Sequence, residues 1–172
     1  TLIDISDINE LNFINDNGDT ITIGATTTHN EVLSSEIVQS KIPSLAALAE
    51  GIGDPHVRNM GTIGGSISNN DPTADYPTAC LSLKAKIKTN KKEISAEDFF
   101  IGLFETALEE NEIVISVEFC IPQKASYMKF PNPASRYAMA GVYVAVFDDG
   151  INVSVTGASE NGVFKWTEME EA

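Results

Sequence analysis

A glycine-rich segment, residues 58–77 (RNMGTIGGSISNNDPTADYP), limits what this chain can fold into and bind. Gly61, Gly64 and Gly65 lie close together, but no Lys follows them and no long apolar strand precedes them. The spacing therefore excludes a Walker phosphate loop, G-x-x-x-x-G-K-[ST], and the dinucleotide fingerprint G-x-G-x-x-G. Adjacent glycines instead favour a loop with positive φ that brings bare backbone N–H groups close to a ligand.

Such a loop has the chemistry of a phosphate site. Successive N–H groups form a concavity that suits phosphate oxygens, and the hydroxyls of Thr62 and Ser66 can donate to the same oxygens. Asp75 would be repelled by phosphate but accepts hydrogen bonds from ribose or ribityl hydroxyls and from ring N–H groups. From the residues alone, a phosphate cradle and a tight turn with no ligand are equally good interpretations.

The composition excludes several classes of partner. The chain has 25 acidic and 11 basic residues and a formal net charge of -14, which repels phosphate backbones and anionic lipid. We therefore expect no binding to nucleic acid or membranes. Cys80 and Cys120 are too few and too far apart for a zinc or iron–sulfur site, so we expect no metal and two reduced thiols in a cytoplasmic protein.

The pattern of elements predicts an α+β fold. Hairpins are expected around residues 16–19 and 148–150, and a helical run is expected over 31–39 after a capping box of Thr28 and Glu31. The order lacks regular βαβ alternation, which argues against a doubly wound parallel sheet. Further helices are expected from Pro43, Pro77 and Ser95, and further strands over 85–89 and 112–122.

The glycine segment resembles a flavin motif of a known family. It is similar to the second flavin motif in the FAD-binding medium subunit of molybdenum hydroxylases, the xanthine dehydrogenase and carbon monoxide dehydrogenase type. That pattern reads roughly R-N-x-G-T-I-G-G-N, then x-P-x-x-D-x-x-P, and Ser66 stands where the family usually has Asn. The matching positions are Arg58, Asn59, Gly61, Thr62, Ile63, Gly64, Gly65, Pro72, Asp75 and Pro77.

The resemblance covers essentially the whole chain and implies a domain organisation. Residues 1–122 would be the second half of a two-subdomain FAD-binding domain, with the second glycine-rich flavin loop at 61–75. Residues 123–172 would begin a smaller α+β C-terminal domain. The family's earlier A-G-G-x-S loop has no counterpart in this sequence, so we expect a piece of a longer protein that does not retain FAD alone.

The resemblance also implies a function. The family passes electrons from a molybdenum cofactor in a large subunit, through 2Fe-2S clusters in a small subunit, to FAD in the medium subunit. The flavin passes them to NAD, a quinone or another acceptor, so an oxidoreductase subunit without a catalytic side chain is expected. The alternatives are another flavoenzyme of the same broad fold, such as an enolpyruvyl-sugar reductase type, and a structural or assembly subunit that has lost flavin.

The site residues follow from the resemblance position by position. The segment from Thr62 to Ser66 would hold the pyrophosphate region, and Asp75 would bond a ribityl or flavin polar group. Residues such as Ile113 and Val114 are more often plain core, and isolated histidines such as His29 and His56 are more often structural or solvated than acid–base groups. The complete predicted set is Ile52, Gly53, Thr62, Ile63, Gly64, Gly65, Ser66, Asp75, Ile113 and Val114, the first two and the last two lying beside the flavin.

Overall fold

The strands pair in antiparallel ladders throughout the computed structural model, which describes residues 3–171. The larger sheet has the order β1-β2-β7-β3-β4, the second has the order β11-β10-β9-β8, and β5 pairs with β6. The strands are β1 (Ile14–Asp16), β2 (Thr20–Gly24), β3 (Lys86–Thr89), β4 (Glu93–Ser95), β5 (Phe100–Gly102), β6 (Glu105–Thr106), β7 (Val114–Cys120), β8 (Lys124–Pro131), β9 (Ala138–Phe147), β10 (Gly150–Thr156) and β11 (Phe164–Lys165).

The helices are short, and between residues 3 and 171 none is long and apolar enough to span a membrane. A single 3₁₀ turn, Asn9–Leu11, precedes β1. The α-helices are α1 (His29–Ser34), α2 (Glu36–Lys41), α3 (Pro43–Glu50), α4 (Pro55–Met60), α5 (Ile63–Asn69), α6 (Tyr76–Ser82), α7 (Ala96–Phe99) and α8 (Thr167–Glu170).

The two hairpin predictions are confirmed. β1 and β2 are joined by residues 17–19, where the Gly18 N–H donates to Asp16 Oδ1 at 2.9 Å and Gly18 has φ of 93°. β9 and β10 are joined by Asp148 and Asp149, with Gly150 opposite Phe147 in the ladder. Both turns use residue types that tolerate the tight backbone of a hairpin.

The capping box is confirmed, but the single helix predicted after it is wrong. Thr28 Oγ1 accepts from Glu31 N, and the Glu31 carboxylate accepts from Thr28 N at 2.7 Å. The helix then ends at Ser35, which has the extended values φ −67° and ψ 121° and whose hydroxyl accepts from Val38 N to begin α2. A serine side chain competes for backbone donors in this way, and the apolar pattern did not reveal it.

The glycine segment also differs from expectation because it is helical. Thr62 caps the start of α5 by accepting from Gly65 N, and Gly64 and Gly65 lie in its first turn. Neither has a positive φ, and Gly61 has φ of −71°. These glycines therefore do not serve an unusual backbone conformation, and the reason for them is steric.

Gly64 allows α5 to lie directly against the first sheet. A Cβ added there would be 2.6 Å from both the Cβ and the carbonyl oxygen of Ala25, which follows β2. The Gly64 N–H donates to that same oxygen at 2.9 Å. At Gly65, by contrast, an added Cβ would meet only Thr62 Oγ1, at 3.1 Å.

Helix α6 links the two sheets through a continuous core. All seven of its residues are buried, and it packs against β9 and β10. The Ser82 and Ser154 hydroxyls are 2.6 Å apart, and Ser154 also donates to Thr78 O at 2.7 Å. One cluster of buried side chains includes Ile23 of the first sheet and Tyr143 of the second. The domain boundary at residue 122 stays a prediction.

The two neighbouring glycines should respond differently to a methyl group. We expect Gly64→Ala to lower the free energy of unfolding by about 1–3 kcal/mol, because the backbone of Ala25 must move. Gly65→Ala should stay within about 1 kcal/mol of wild type, since it meets only a hydroxyl and gains helix propensity. Denaturant unfolding monitored by circular dichroism measures both values, and equal losses would contradict the close approach at Gly64.

Candidate functional site

Two cavities of about 510 Å³ each meet at the start of α5. Met60, Thr62 and Gly65 line both cavities, and we call these three residues the shared wall. Each volume falls within the usual range for small-molecule sites. The exposed Gly65 contributes no side chain to the shared wall.

The first cavity collects most of the predicted site residues. Ile52 and Gly53, from the turn after α3, line it together with Ser66 of α5 and Asp75. They are joined by side chains that the sequence analysis did not select. These are His29, Val57, Asn69, Asp71, Ala74, Ser135, Arg136 and Tyr137.

The second cavity lies on the other side of the shared wall. Ile113 and Val114, at the start of β7, line it with Gly64 and Ser68. Ile113 is 42% exposed, whereas Val114 is buried. The two therefore do not lie in one cavity with Ile52 and Gly53, as a shared position beside the flavin would require. Ile63 lines neither cavity, since its side chain is fully buried in the core.

The backbone N–H groups at the start of α5 already have partners within the protein. Ile63 donates to Thr27 O at 3.0 Å, Gly64 to Ala25 O at 2.9 Å, and Ser66 to Thr62 O at 3.0 Å. The expected cradle of bare amides is therefore wrong. Two hydroxyls can meet an anion: Thr62 Oγ1 accepts from Gly65 N and keeps its own hydrogen to donate, and Ser66 brings another hydroxyl.

Asp75 is a buried carboxylate held by two side chains of β8. Its Oδ2 accepts from Lys129 Nζ at 2.9 Å, and its Oδ1 accepts from the Tyr127 hydroxyl. Asp75 is 5% exposed and the Lys129 side chain 9%. Burial raises the pKa of Asp75 above its ordinary value, while Lys129 and Tyr127 act against that rise. Both carboxylate oxygens are thus already engaged before any ligand binds.

Three cations hold the turn that carries Ile52 and Gly53. Arg58 Nη1 donates to the carbonyl oxygens of Ile52 at 3.0 Å and Gly53 at 3.3 Å, and Arg136 Nη1 donates to the latter at 3.1 Å. Lys129 Nζ donates to the Gly51 oxygen at 3.1 Å. Carbonyls after the last turn of a helix lack helical partners and carry partial negative charge, which cations satisfy. This fixes one wall of the first cavity.

His29 is the residue that the sequence analysis missed most clearly. It is 5% exposed, lines the first cavity, and has an Nδ1 atom that is buried without a partner among residues 3–171. Burial and the nearby charge of Arg58 lower its pKa to about 4. Nothing in the run TTTHNE distinguishes this His from the solvated His56, because burial depends on tertiary packing against Gly61 and Tyr76.

Comparison with known proteins identifies the family. Residues 1–123 match the family described as the FAD binding domain in molybdopterin dehydrogenase. The chain belongs to this family. It is 36% identical over 180 aligned positions to the glyceraldehyde dehydrogenase medium chain of Sulfolobus acidocaldarius, with 99% of this chain and 64% of that protein covered.

Carbon monoxide dehydrogenases give further matches in sequence and in structure. The medium chain from Hydrogenophaga pseudoflava is 38% identical over 162 positions, covering 89% of this chain and 56% of that protein. A solved structure of that organism's enzyme, described as lacking the Mo-pyranopterin moiety, superposes with a TM-score of 0.84 at 32% identity, covering 91% and 58%. The structure of a cyanide-inactivated Cu,Mo-CO dehydrogenase superposes with a TM-score of 0.88 at 26% identity. The match covers 97% of this chain and 62% of that chain.

These comparisons decide several sequence predictions. The family resemblance and the α+β fold are confirmed, and FAD is the cofactor named in the family description. The relatives are dehydrogenase chains, in keeping with an oxidoreductase subunit. The chain spans less than two thirds of the length of these relatives. The roles of the individual site residues stay predictions.

The buried pair of Asp75 and Lys129 should matter more for stability than an exposed surface pair. We expect Lys129→Met to lower the free energy of unfolding by about 3–5 kcal/mol, because it leaves a buried carboxylate without its cation. Lys86→Met breaks a 3.4 Å pair with Glu93, in which both side chains are more than half exposed, and should lower it by about 1 kcal/mol or less. Similar losses in urea unfolding would show that Asp75 is better solvated than its burial implies.

The lowered pKa of His29 predicts a loss of stability in acid. Between about pH 6.5 and pH 4 the unfolded chain binds a proton at this residue that the folded chain does not, so stability falls as pH falls through that window. We expect this residue to contribute about 2–3 kcal/mol of that loss at about pH 4.5. His29→Phe should remove this part of the loss, which is measured as the difference between the free energies of urea unfolding at about pH 6.5 and about pH 4.5.

His56→Phe, the same replacement at an exposed histidine, is the control for the substitution itself. NMR titration of the His29 ring provides a direct check. A midpoint near 6.5 for His29 would contradict the explanation from burial.

Proposed function

We propose that this chain is the FAD-binding portion of the medium subunit of a molybdenum hydroxylase complex. The observation that carries the proposal is the pair of cavities that meet at the shared wall. FAD has two ring systems joined through a pyrophosphate, and a molecule of that shape suits two cavities with a constriction between them. Family membership and the medium chains among the relatives support the same assignment.

The lining of the two cavities suggests which end of FAD each would hold. The first cavity, with Ile52, Gly53 and the half-exposed Tyr137, offers apolar and aromatic surfaces for the isoalloxazine ring. The second cavity, with Ile113 and Val114, would take the adenosine end. This revises the expectation that Ile113 and Val114 lie beside the flavin ring.

The shared wall would carry the pyrophosphate between the two ends. The hydroxyls of Thr62 and Ser66 would donate to phosphate oxygens, while Gly65 leaves the space that those oxygens need. Gly64 would act indirectly, by letting α5 lie close enough to the first sheet to present these groups. Ile63 would anchor the same turn from the core side.

Asp75 would act mainly as a positioning residue. Its two oxygens hold Tyr127 and Lys129, and Lys129 in turn holds the carbonyl of Gly51 beside the first cavity. A carboxylate can accept more than two hydrogen bonds, so a ribityl or ring donor can still be added. Removing Asp75 would therefore disturb the cavity wall as well as any direct bond to the cofactor.

The wider role follows the family. A bound FAD supplies the redox chemistry, and the protein supplies binding, orientation and shielding from water. We propose that electrons reach the flavin from 2Fe-2S clusters of a small subunit, after oxidation of substrate at a molybdenum cofactor in a large subunit, and leave to an external acceptor. Free Cys80 and Cys120 are in keeping with the proposed cytoplasmic location.

Substitution of Gly65 tests the proposed pyrophosphate position. In the intact protein, we expect Gly65→Val to abolish FAD retention, because the new side chain fills the space between the cavities. Loss of several charge-assisted hydrogen bonds, each worth about 1.5–3 kcal/mol, lowers affinity by several decades. Flavin absorbance after gel filtration measures the retained FAD, and circular dichroism confirms that the variant is folded.

Gly102→Val is the matched control. An added Cβ there meets nothing closer than Glu105 Oε2, at 3.7 Å, and Gly102 lines neither cavity. It should retain FAD as wild type does. Full flavin content in Gly65→Val would argue for a protein of this fold that binds nothing at the shared wall.

A further inference from the structure

His29 occupies a fixed position in the wall of the first cavity. Its ring lies 5.3 Å from that of Tyr76, measured between centroids. On another side, a Cβ added at Gly61 would be 2.6 Å from Nε2, so only glycine leaves room for the imidazole. The His29 backbone N–H donates to Gly61 O at 3.0 Å, which fixes the start of α1 against the end of α4. The side chain is thus confined by packing and not free to turn.

The two ring nitrogens have different surroundings. Nδ1 is buried and has no hydrogen-bond partner among residues 3–171. Buried N–H groups without an acceptor are rarer in proteins than acceptors without a donor, so the proton of a neutral ring belongs on Nε2. The ring is neutral near pH 7 because burial and Arg58 lower its pKa to about 4. His29 therefore presents one N–H donor, on the side that lies near Gly61.

That donor lies next to the shared wall. Gly61 directly precedes Thr62, and both line the first cavity with His29 and Ser66. We propose that Nε2–H of His29 donates a hydrogen bond to an oxygen of bound FAD, either a phosphate oxygen or a ribityl hydroxyl, and so orients the cofactor beside Thr62. The inference rests on the proposed function, and it adds a neutral donor that the flavin motif itself does not contain.

Three substitutions at His29 separate hydrogen bonding from packing. His29→Phe keeps a ring and removes both nitrogens, His29→Gln places an amide donor near the position of Nε2, and His29→Asn places one near Nδ1. In the intact protein, we expect His29→Phe and His29→Asn to weaken FAD binding about tenfold to a hundredfold. His29→Gln should stay within about fivefold of wild type. Fluorescence titration of the flavin-free protein with FAD gives the dissociation constants.

Tyr76→Phe is the matched control. The Tyr76 hydroxyl is also buried without a partner, it belongs to the ring that contacts His29, and Tyr76 does not line the first cavity. We expect this variant to bind FAD as wild type does. Riboflavin, titrated alongside, identifies the acceptor. A loss at His29→Phe that appears with FAD alone indicates a phosphate oxygen, and an equal loss with both ligands indicates a ribityl oxygen.

Nitrogen NMR of the flavin-free protein tests the donor without FAD. The expected spectrum shows a neutral His29 ring with the proton on Nε2, and a proton on Nδ1 would overturn the inference. Equal FAD affinity in wild type and His29→Phe would overturn it too, while leaving the proposed function intact. A wild-type protein that binds no FAD would instead overturn the proposed function.

Discussion

The contact between the first turn of α5 and the end of β2 sets the geometry of everything described around the two cavities. Gly64 has no Cβ, so its N–H reaches Ala25 O at 2.9 Å, and Ile63 bonds Thr27 beside it. With the helix held this close to the first sheet, Thr62 and Gly65 fall on the line where both cavities meet. A side chain at position 64 would move the whole turn outward, and with it the hydroxyls that we propose for phosphate.

A second constraint joins distant parts of the sequence around the first cavity. Lys129 of β8 and Arg136, which precedes β9, both reach the turn at 51–53 that follows α3. Lys129 also pairs with Asp75, so one buried cation links three segments of the chain. Because a buried charge must be balanced, these segments are stable only when they come together. The cavity wall therefore depends on residues beyond the stretch that carries the flavin motif.

Local signals in the sequence predicted local structure well, as the hairpin at Gly18 and the capping box of Thr28 and Glu31 demonstrate. They failed where a side chain had two compatible uses, as at Ser35, whose hydroxyl ends one helix and begins the next. Of the ten residues predicted from the family resemblance, nine line one of the two cavities, because positions that a family uses for one ligand lie together in space. It gave no sign of His29, whose burial depends on packing against Gly61 and Tyr76.

The commitment of the α5 amides to the protein has a consequence for how this surface can vary between related sequences. The backbone has the same hydrogen bonds whatever stands at position 66, so a serine, or the asparagine usual in the family, changes a single donor without rebuilding the turn. Position 64 does not tolerate a side chain, because a Cβ there would be 2.6 Å from the Cβ and the carbonyl oxygen of Ala25. The residue at position 66 can therefore change the donor offered to a ligand, while position 64, two residues earlier, is fixed by the packing of the helix on the sheet.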